Sequence, residues 1–249
     1  MGPRDKVKMD ILYEDDHLLA VNKPAGMVVH PSYKNVAGTL LDDVRAYGHD
    51  WADDQRPSIV GRLDKLTSGI VVVAKTARIH AALQREMAAR DTEKDYVAVV
   101  YGLVDVGSGA IDVPLRHDPV DRRMMVASPA EGARSVTRFE RLAGVEAPRV
   151  GLSLVRCRLV TGRRHQIRVH LAARGWPIVG DPVYGAPSWQ AIVDPALAET
   201  LRTFPRQALH AARVAFTHPV RRVRILVEAP LPADIEDLLT VTGLGPAEA

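Results

Sequence analysis

An α+β fold is the class this sequence predicts, with a central mixed, largely antiparallel β-sheet flanked by helices and loops. Three observations lead there. Short runs rich in Val, Ile and Leu recur along the 249 residues at lengths suited to strands. Only a few segments carry apolar residues at the three-to-four-residue spacing of a helix. Strands and helices mix without the regular alternation of a parallel α/β sheet, and no repeat period, low-complexity tract or linker interrupts them. A single domain is expected over residues 10–235, with loose termini at 1–9 and 240–249.

Asp10–Tyr13 and Leu18–Val21 are expected as strands about the acidic turn Glu14-Asp15-Asp16, with Asn22–Gly26 turning into Met27–His30. Leu40, Leu41 and Val44 give Gly38–Tyr47 a helical apolar face, and Asp50–Pro57 is a polar, acidic loop. Ile70–Ala74 reads as a buried strand. Thr76 suits the N-cap of a helix to about Ala89, with Ile79, Leu83 and Met87 along one side. Lys94–Gly102 reads as a strand, and further strands are expected near 110–115, 122–127, 133–142 and 150–160. A helix follows over Gly162–Arg174, capped by Thr161 and stopped by Gly175-Trp176-Pro177. Strands near 209–216 and 221–228 precede a short helix from about Ala233.

Charged residues make up 25% and apolar ones 47% of the chain, a balance that argues against overall disorder. Charge is unevenly placed. Residues 151–224 hold twelve Arg and no Lys against Asp181, Asp194 and Glu199, whereas residues 1–60 hold seven basic side chains against ten acidic ones. That asymmetry points to a polyanionic partner. Cys157 is the only cysteine, so no intrachain disulfide forms and a reducing compartment is expected. The start Met-Gly-Pro-Arg-Asp-Lys lacks the apolar stretch of a signal peptide. No apolar segment approaches the ~20 residues needed to span a bilayer. A cytoplasmic monomer without a membrane partner is the expectation.

Chemistry concentrates in two segments. Gly61-Arg-Leu-Asp-Lys-Leu-Thr-Ser-Gly69 places Asp64 at the mouth of the strand expected to be buried. A desolvated carboxylate is costly there unless a cation meets it. Arg168, in Thr161-Gly-Arg-Arg-His-Gln-Ile-Arg-Val-His170, is the candidate partner. On a helix it falls one position past Ile167, at the edge of a stripe formed by Ile167, Leu171 and Arg174, with Arg164 one turn earlier. A solvated basic face is the plainer alternative for that helix.

Other chemistries find no motif. His165 and His170 lie five apart, about 140° around a helix, and do not converge on a metal. The remaining histidines are scattered, so no metal site is expected. Neither a G-x-x-x-x-G-K-[ST] loop nor a G-x-G-x-x-G fingerprint occurs, and no nucleotide cofactor is expected. Thr67-Ser68-Gly69 is a polar turn, not a nucleophile elbow. Tyr96 and Tyr101, alternating with valines, read by themselves as core aromatics.

Five ordered blocks resemble the RluA-type pseudouridine synthase family over roughly residues 10–235. They are Ile11-Leu-Tyr-Glu-Asp15 with Val21-Asn-Lys-Pro-Ala-Gly26; Arg62–Gly69; Lys94-Asp-Tyr-Val-Ala-Val-Val-Tyr-Gly102; Thr161–Leu171 with Pro177–Asp181 and Tyr184-Gly185; and Leu209-His-Ala211 before Phe216–Pro219. The resemblance implies a catalytic domain without an S4 domain, its active site in a cleft of the sheet. It implies that Asp64 is the catalytic acid, Tyr96 an active-site tyrosine that stacks on the target uracil, and Arg168 the holder of the acid. Arg62 matches an arginine that takes part in flipping the nucleotide, and Arg163, Arg164, His165 and Gln166 join it as expected RNA contacts. The family commonly has His where Gly61 stands. Many relatives add an S4 RNA-binding domain, so RNA selection is expected to rest on the catalytic domain or on helpers.

The reaction so implied turns uridine in structured ribosomal or transfer RNA into pseudouridine. The glycosidic bond breaks, the base rotates, and a bond to C5 forms, with no cofactor because no atoms are gained or lost. Two rivals stand beside it. An N-glycosidase would want a second carboxylate, for which Asp42, Asp43, Asp53 and Asp54 are candidates. A non-catalytic RNA-binding or RNA-folding protein would need none.

Overall fold

The computed structural model describes residues 9–31, 36–52, 54–89, 91–146, 151–185 and 188–245. Residues 1–8 and 246–249 of the expected termini, Asp53 of the acidic loop and Val150 of an expected strand lie outside them. The chain resolves into two compact units: Met1–Glu93 with Ala211–Pro230, and Lys94–His210 with Leu231–Ala249. The expected mixture of strands and helices is present in both.

In the first unit β1 (Asp10–Glu14) and β2 (Leu18–Lys23) form an antiparallel hairpin. Asp15 shapes its turn by accepting from the N–H groups of His17 and Leu18 at 2.8 and 3.0 Å. Antiparallel β4 (Ser68–Ala74) lies against β2, pairing Leu18 with Ala74 and Lys23 with Gly69. The short β3 (Ser58–Val60), invisible as a three-residue run, pairs antiparallel with β4. Every β4 residue is buried, as its unbroken apolar run requires. Next to β4 comes β11 (Leu209–Thr217), whose residues from Ala211 belong here, and β11 carries β12 (Arg224–Glu228) antiparallel.

Helix α1 (Leu40–Tyr47) starts at a capping box between Thr39 and Asp42. Met27–His30 is not a strand: the carbonyls of Val28 and Val29 instead accept from Leu40 and Leu41 N–H, satisfying donors at the start of α1. Helix α2 (Ala77–Ala88) begins where Thr76 predicts, its hydroxyl accepting from Ile79 N–H at 3.3 Å. Ile79 and Leu83 enter a core of Leu18, Ala20, Ile70, Val72, Val214 and Phe216.

The second unit centres on β5 (Glu93–Tyr101, entering from Glu93), β10 (Leu152–Leu159), β9 (Val136–Val145) and β6 (Ser108–Asp112), in that order and antiparallel. A separate hairpin pairs β7 (Leu115–His117) with β8 (Met125–Ala127). Helix α3 (Gln166–Ala173) is shorter than the expected 162–174. Helix α4 (Pro195–Thr203) was not anticipated, although Asp194 caps it and Pro195 opens it, both standard start signals.

Helix α5 (Ala233–Thr242) corrects the expected loose tail from 240. It runs to Thr242, ends on left-handed Gly243, and buries Leu244 to 4% exposure. Arg206, 3% exposed, fastens α5 by gripping Asp234 at 2.6 and 2.8 Å.

Candidate active site

The Asp64 segment joins β3 to β4 within the first unit. Its shape is set by backbone partners. Thr67 N–H donates to the Asp64 carbonyl at 3.1 Å, closing a turn over Asp64–Thr67, and Gly26 N–H donates to the Lys65 carbonyl at 2.8 Å. Lys23, fully buried at the end of β2, sends its ammonium to the carbonyls of Pro24, Met27 and Lys65 at 2.9, 3.0 and 3.3 Å. Three carbonyl dipoles compensate a charge that burial alone would penalise. The turn bearing Asp64 is thus nailed to the turn after β2.

Asp64 itself is half-buried and Arg62 exposed, whereas Leu63 and Thr67 point inward. The desolvated carboxylate assumed from sequence is therefore a partly solvated one. Gly61 adopts φ 82°, with open space where a side chain would start. At Gly69, φ 110°, an added Cβ would stand 2.2 Å from the Ala211 carbonyl, so only glycine lets β4 approach β11 here. Ser68 and Gly69 are thus buried strand, not the polar turn read from sequence.

The second segment follows β10. Thr161 does not cap α3; its hydroxyl accepts from Val136 N–H at 2.9 Å and donates to Gln166 Oε1 at 2.8 Å. The N-cap is His165, left-handed at φ 54° and without a side-chain cap bond. Its Nδ1 lies 2.7 Å from the Tyr184 hydroxyl, which also accepts from Met125 N–H at 2.9 Å. Gln166 is corrected as an RNA contact: it is 2% exposed and its amide is spent inside the protein. Arg163 is exposed and Arg164 half-buried, and both precede the helix rather than lying on it.

Arg168 is 4% exposed and makes a two-pronged ion pair with Asp181, Nε to Oδ2 and Nη2 to Oδ1, both 2.7 Å. The Tyr184 ring lies 4.9 Å from the guanidinium carbon. Burial pushes the Asp181 carboxyl up, but the hydrogen bonds and charge of Arg168, with the N–H groups of Tyr184 and Val183, win and hold it below the usual carboxylate range. Sequence reasoning required a carboxylate for this arginine and named Asp64; Asp181, which it did not name, supplies one.

Tyr96 stands half-buried on β5, opposite Cys157 of β10. At the far end of β5 Tyr101 is buried, which pushes that phenol up to about 12 and leaves it no acid–base role near neutrality. Burial likewise pushes Cys157 up to about 12, excluding a thiolate nucleophile. Asp64 and Arg62 fall in the first unit; Tyr96, Arg168 and the 163–166 run fall in the second. Among the described residues no group of three or more His, Cys, Asp or Glu could hold a metal ion, and no helix is long and apolar enough to cross a membrane. Lys23, Asp181 and Tyr184 were missed as site residues, although each lies inside a quoted block.

Residues 17–173, which include Asp64, Tyr96 and Arg168, match the family described as RNA pseudouridylate synthase. The ribosomal large subunit pseudouridine synthase D of Pseudomonas aeruginosa is 42% identical over 236 residues, 94% of this chain and 72% of that protein. The RNA pseudouridine synthase YlyB of Bacillus subtilis, described as uncharacterized, is 39% identical over 238 residues, 94% and 73% of the two chains. Among solved structures, human RNA pseudouridylate synthase domain containing 4 aligns with a TM-score of 0.77 at 22% identity, covering 98% of this chain and 97% of that one. The corresponding human domain containing 1 protein aligns with a TM-score of 0.67, also at 22% identity. These two likenesses concern the fold.

Proposed function

The chain belongs to the RNA pseudouridylate synthase family, of the RluA type, and from that premise we propose that it isomerises uridines of ribosomal RNA with Asp64 as the catalytic carboxylate. The observation that carries this reading is the Asp64 turn itself. A half-exposed acid, flanked by exposed Arg62, sits on a backbone fixed by a buried ammonium and by the glycine approach of β4 to β11. Such a backbone presents one carboxylate to a substrate without letting it drift. Ribosomal RNA is favoured because several relatives at about 40% identity carry the large ribosomal subunit in their names.

The target uridine leaves its stack so that the acid can reach the glycosidic bond, at a cost of a few kcal/mol that phosphate contacts offset. Arg62, Arg163 and Arg164 supply such contacts, with His165 beside them. Asp64 then either bonds covalently to the substrate or assists a glycal-like intermediate. The freed uracil rotates, C5 bonds to the ribose, the C5 proton leaves and N1, released from the ribose, takes one up, so atoms balance without a redox partner. Tyr96 stacks on the flipped base and helps move that proton. Arg168, oriented by Asp181, supplies fixed positive charge to the site. The protein acts as a cytoplasmic monomer.

The test is Asp64→Asn assayed on ribosomal RNA from cells lacking this gene. Pseudouridine formation is expected to vanish while RNA affinity stays within about twofold of wild type. Lost binding would make Asp64 structural, and release of free uracil by the wild type would replace isomerisation with hydrolysis.

A further inference from the structure

The geometry points to Thr137, Gln166 and His170 as positioning residues, joined in one buried hydrogen-bond chain that fixes the rotation of α3 and so the direction of Arg168. This rests on the functional reading of Arg168 given above. The direction of every bond in the chain is determined. The Val113 carbonyl can only accept, so His170 donates to it from Nε2 at 2.9 Å, leaving Nδ1 as an acceptor. Thr137 therefore donates its hydroxyl proton to Nδ1 at 2.9 Å and accepts from Gln166 Nε2 at 3.0 Å. Gln166 Nε2 also donates to the Val136 carbonyl at 3.0 Å, and its Oε1 accepts from Thr161 and from Arg163 N–H.

Thr137 and His170 are 0% exposed and Gln166 2%. No water competes for these groups, so each bond left unmade would carry its full desolvation cost. Gln166 and His170 are one turn apart on α3 and both grip Thr137 of β9. Arg168 lies between them, about 200° around the helix from Gln166, on the side that meets Asp181 and Tyr184. His165, the left-handed N-cap of α3, makes no side-chain cap bond, so the side chains of Gln166 in its first turn and His170 one turn on, both bound to β9, hold its rotation.

The test pairs Thr137→Val, which keeps shape and deletes the hydroxyl, with Thr137→Ser, which keeps the hydroxyl. Two readouts are taken on each full-length variant: turnover on RNA, and the NMR signal and exchange rate of Arg168 Nε–H. In Thr137→Val that signal is expected to shift and exchange at least tenfold faster. In the same variant kcat is expected to fall at least tenfold, with KM within twofold. Thr137→Ser is expected to restore both to within about threefold. An unchanged Arg168 signal in Thr137→Val would overturn the proposal, as would a Thr137→Ser variant no better than Thr137→Val. A shifted signal with wild-type turnover would uphold the positioning link and sink instead the functional reading of Arg168.

Discussion

Lys23 donates to the carbonyl of Lys65 at 3.3 Å, so the residue after Asp64 hangs from a buried ammonium at the end of β2. Replacing it with Met keeps the volume but strips three carbonyls of a donor. The Lys65 carbonyl keeps Gly26 N–H, and an acceptor left unmet away from water costs about 1–3 kcal/mol. Lys23→Met should lose that much in urea unfolding. It should also lower turnover more than RNA affinity, since the turn that presents Asp64 loosens. An unchanged melting curve would show that the ammonium is dispensable.

Arg168 and Asp181 form a pair that is expensive to split. Asp181→Asn takes the charge of Asp181 away from a guanidinium at 4% exposure, and removing one member of a buried pair costs roughly 3–5 kcal/mol. Because the folded carboxyl titrates below its ordinary 3.8, the wild type keeps this contribution above that pH and loses it as pH falls further. Asp181→Asn should be less stable at neutral pH and should lack that share of the acid loss. Parallel acid titrations of the two proteins, followed by tryptophan fluorescence, measure both effects.

Two histidines set a second acid dependence. His170 and His218 are 0% exposed, and burial lowers both from the ordinary 6.5, against the upward pull of the Val113 carbonyl and Asp112 on one and Asp15 on the other. The unfolded chain takes up these protons near pH 6.5 and the folded chain only at lower pH. Stability is therefore complete above about 6.5 and declines as pH falls below it. Urea midpoints at pH 7.5 and 5.5 should differ, and the difference should shrink in His170→Asn and again in His218→Asn. Equal midpoints in the wild type would contradict the burial argument.

What the sequence made legible was local. Thr76 announces α2, the unbroken run after Gly69 announces a strand buried on both faces, and Arg168 announces its need for a carboxylate. What it hid was tertiary. Thr161 looks like a helix cap, but Val136 N–H and Gln166 Oε1 take its hydroxyl. Gln166 looks like a surface amide, yet it is inside because β9 supplies its partners from thirty residues away. Asp181 looks like one acid among many until the fold brings it to Arg168. Asp194-Pro195 was readable and passed over.

RNA affinity should depend steeply on salt, because exposed arginines that meet phosphates release counterions. Arg163 is exposed just before α3. Arg163→Ala should weaken binding similarly for all RNAs tested and reduce the slope of log affinity against log salt by about one. A slope that stays the same would remove Arg163 from the RNA surface.

Gly61 and Gly69 bracket the Asp64 turn and should lose very different amounts of stability on substitution. At Gly61 nothing lies within 4 Å of an added Cβ, so only the left-handed backbone at φ 82° resists. That strain is about 1–2 kcal/mol for Ala, and less for Asn, which tolerates the conformation. A histidine here would carry a similar penalty unless the turn relaxed to negative φ. At Gly69 the added carbon meets the Ala211 carbonyl at 2.2 Å and a backbone nitrogen at 2.6 Å, and neither can swing away. Gly69→Ala must separate β4 from β11, costing about 3 kcal/mol or more. The expected order of melting temperatures is wild type, Gly61→Asn, Gly61→Ala, then Gly69→Ala far below. A Gly69→Ala protein as stable as Gly61→Ala would mean that β4 does not need this close approach.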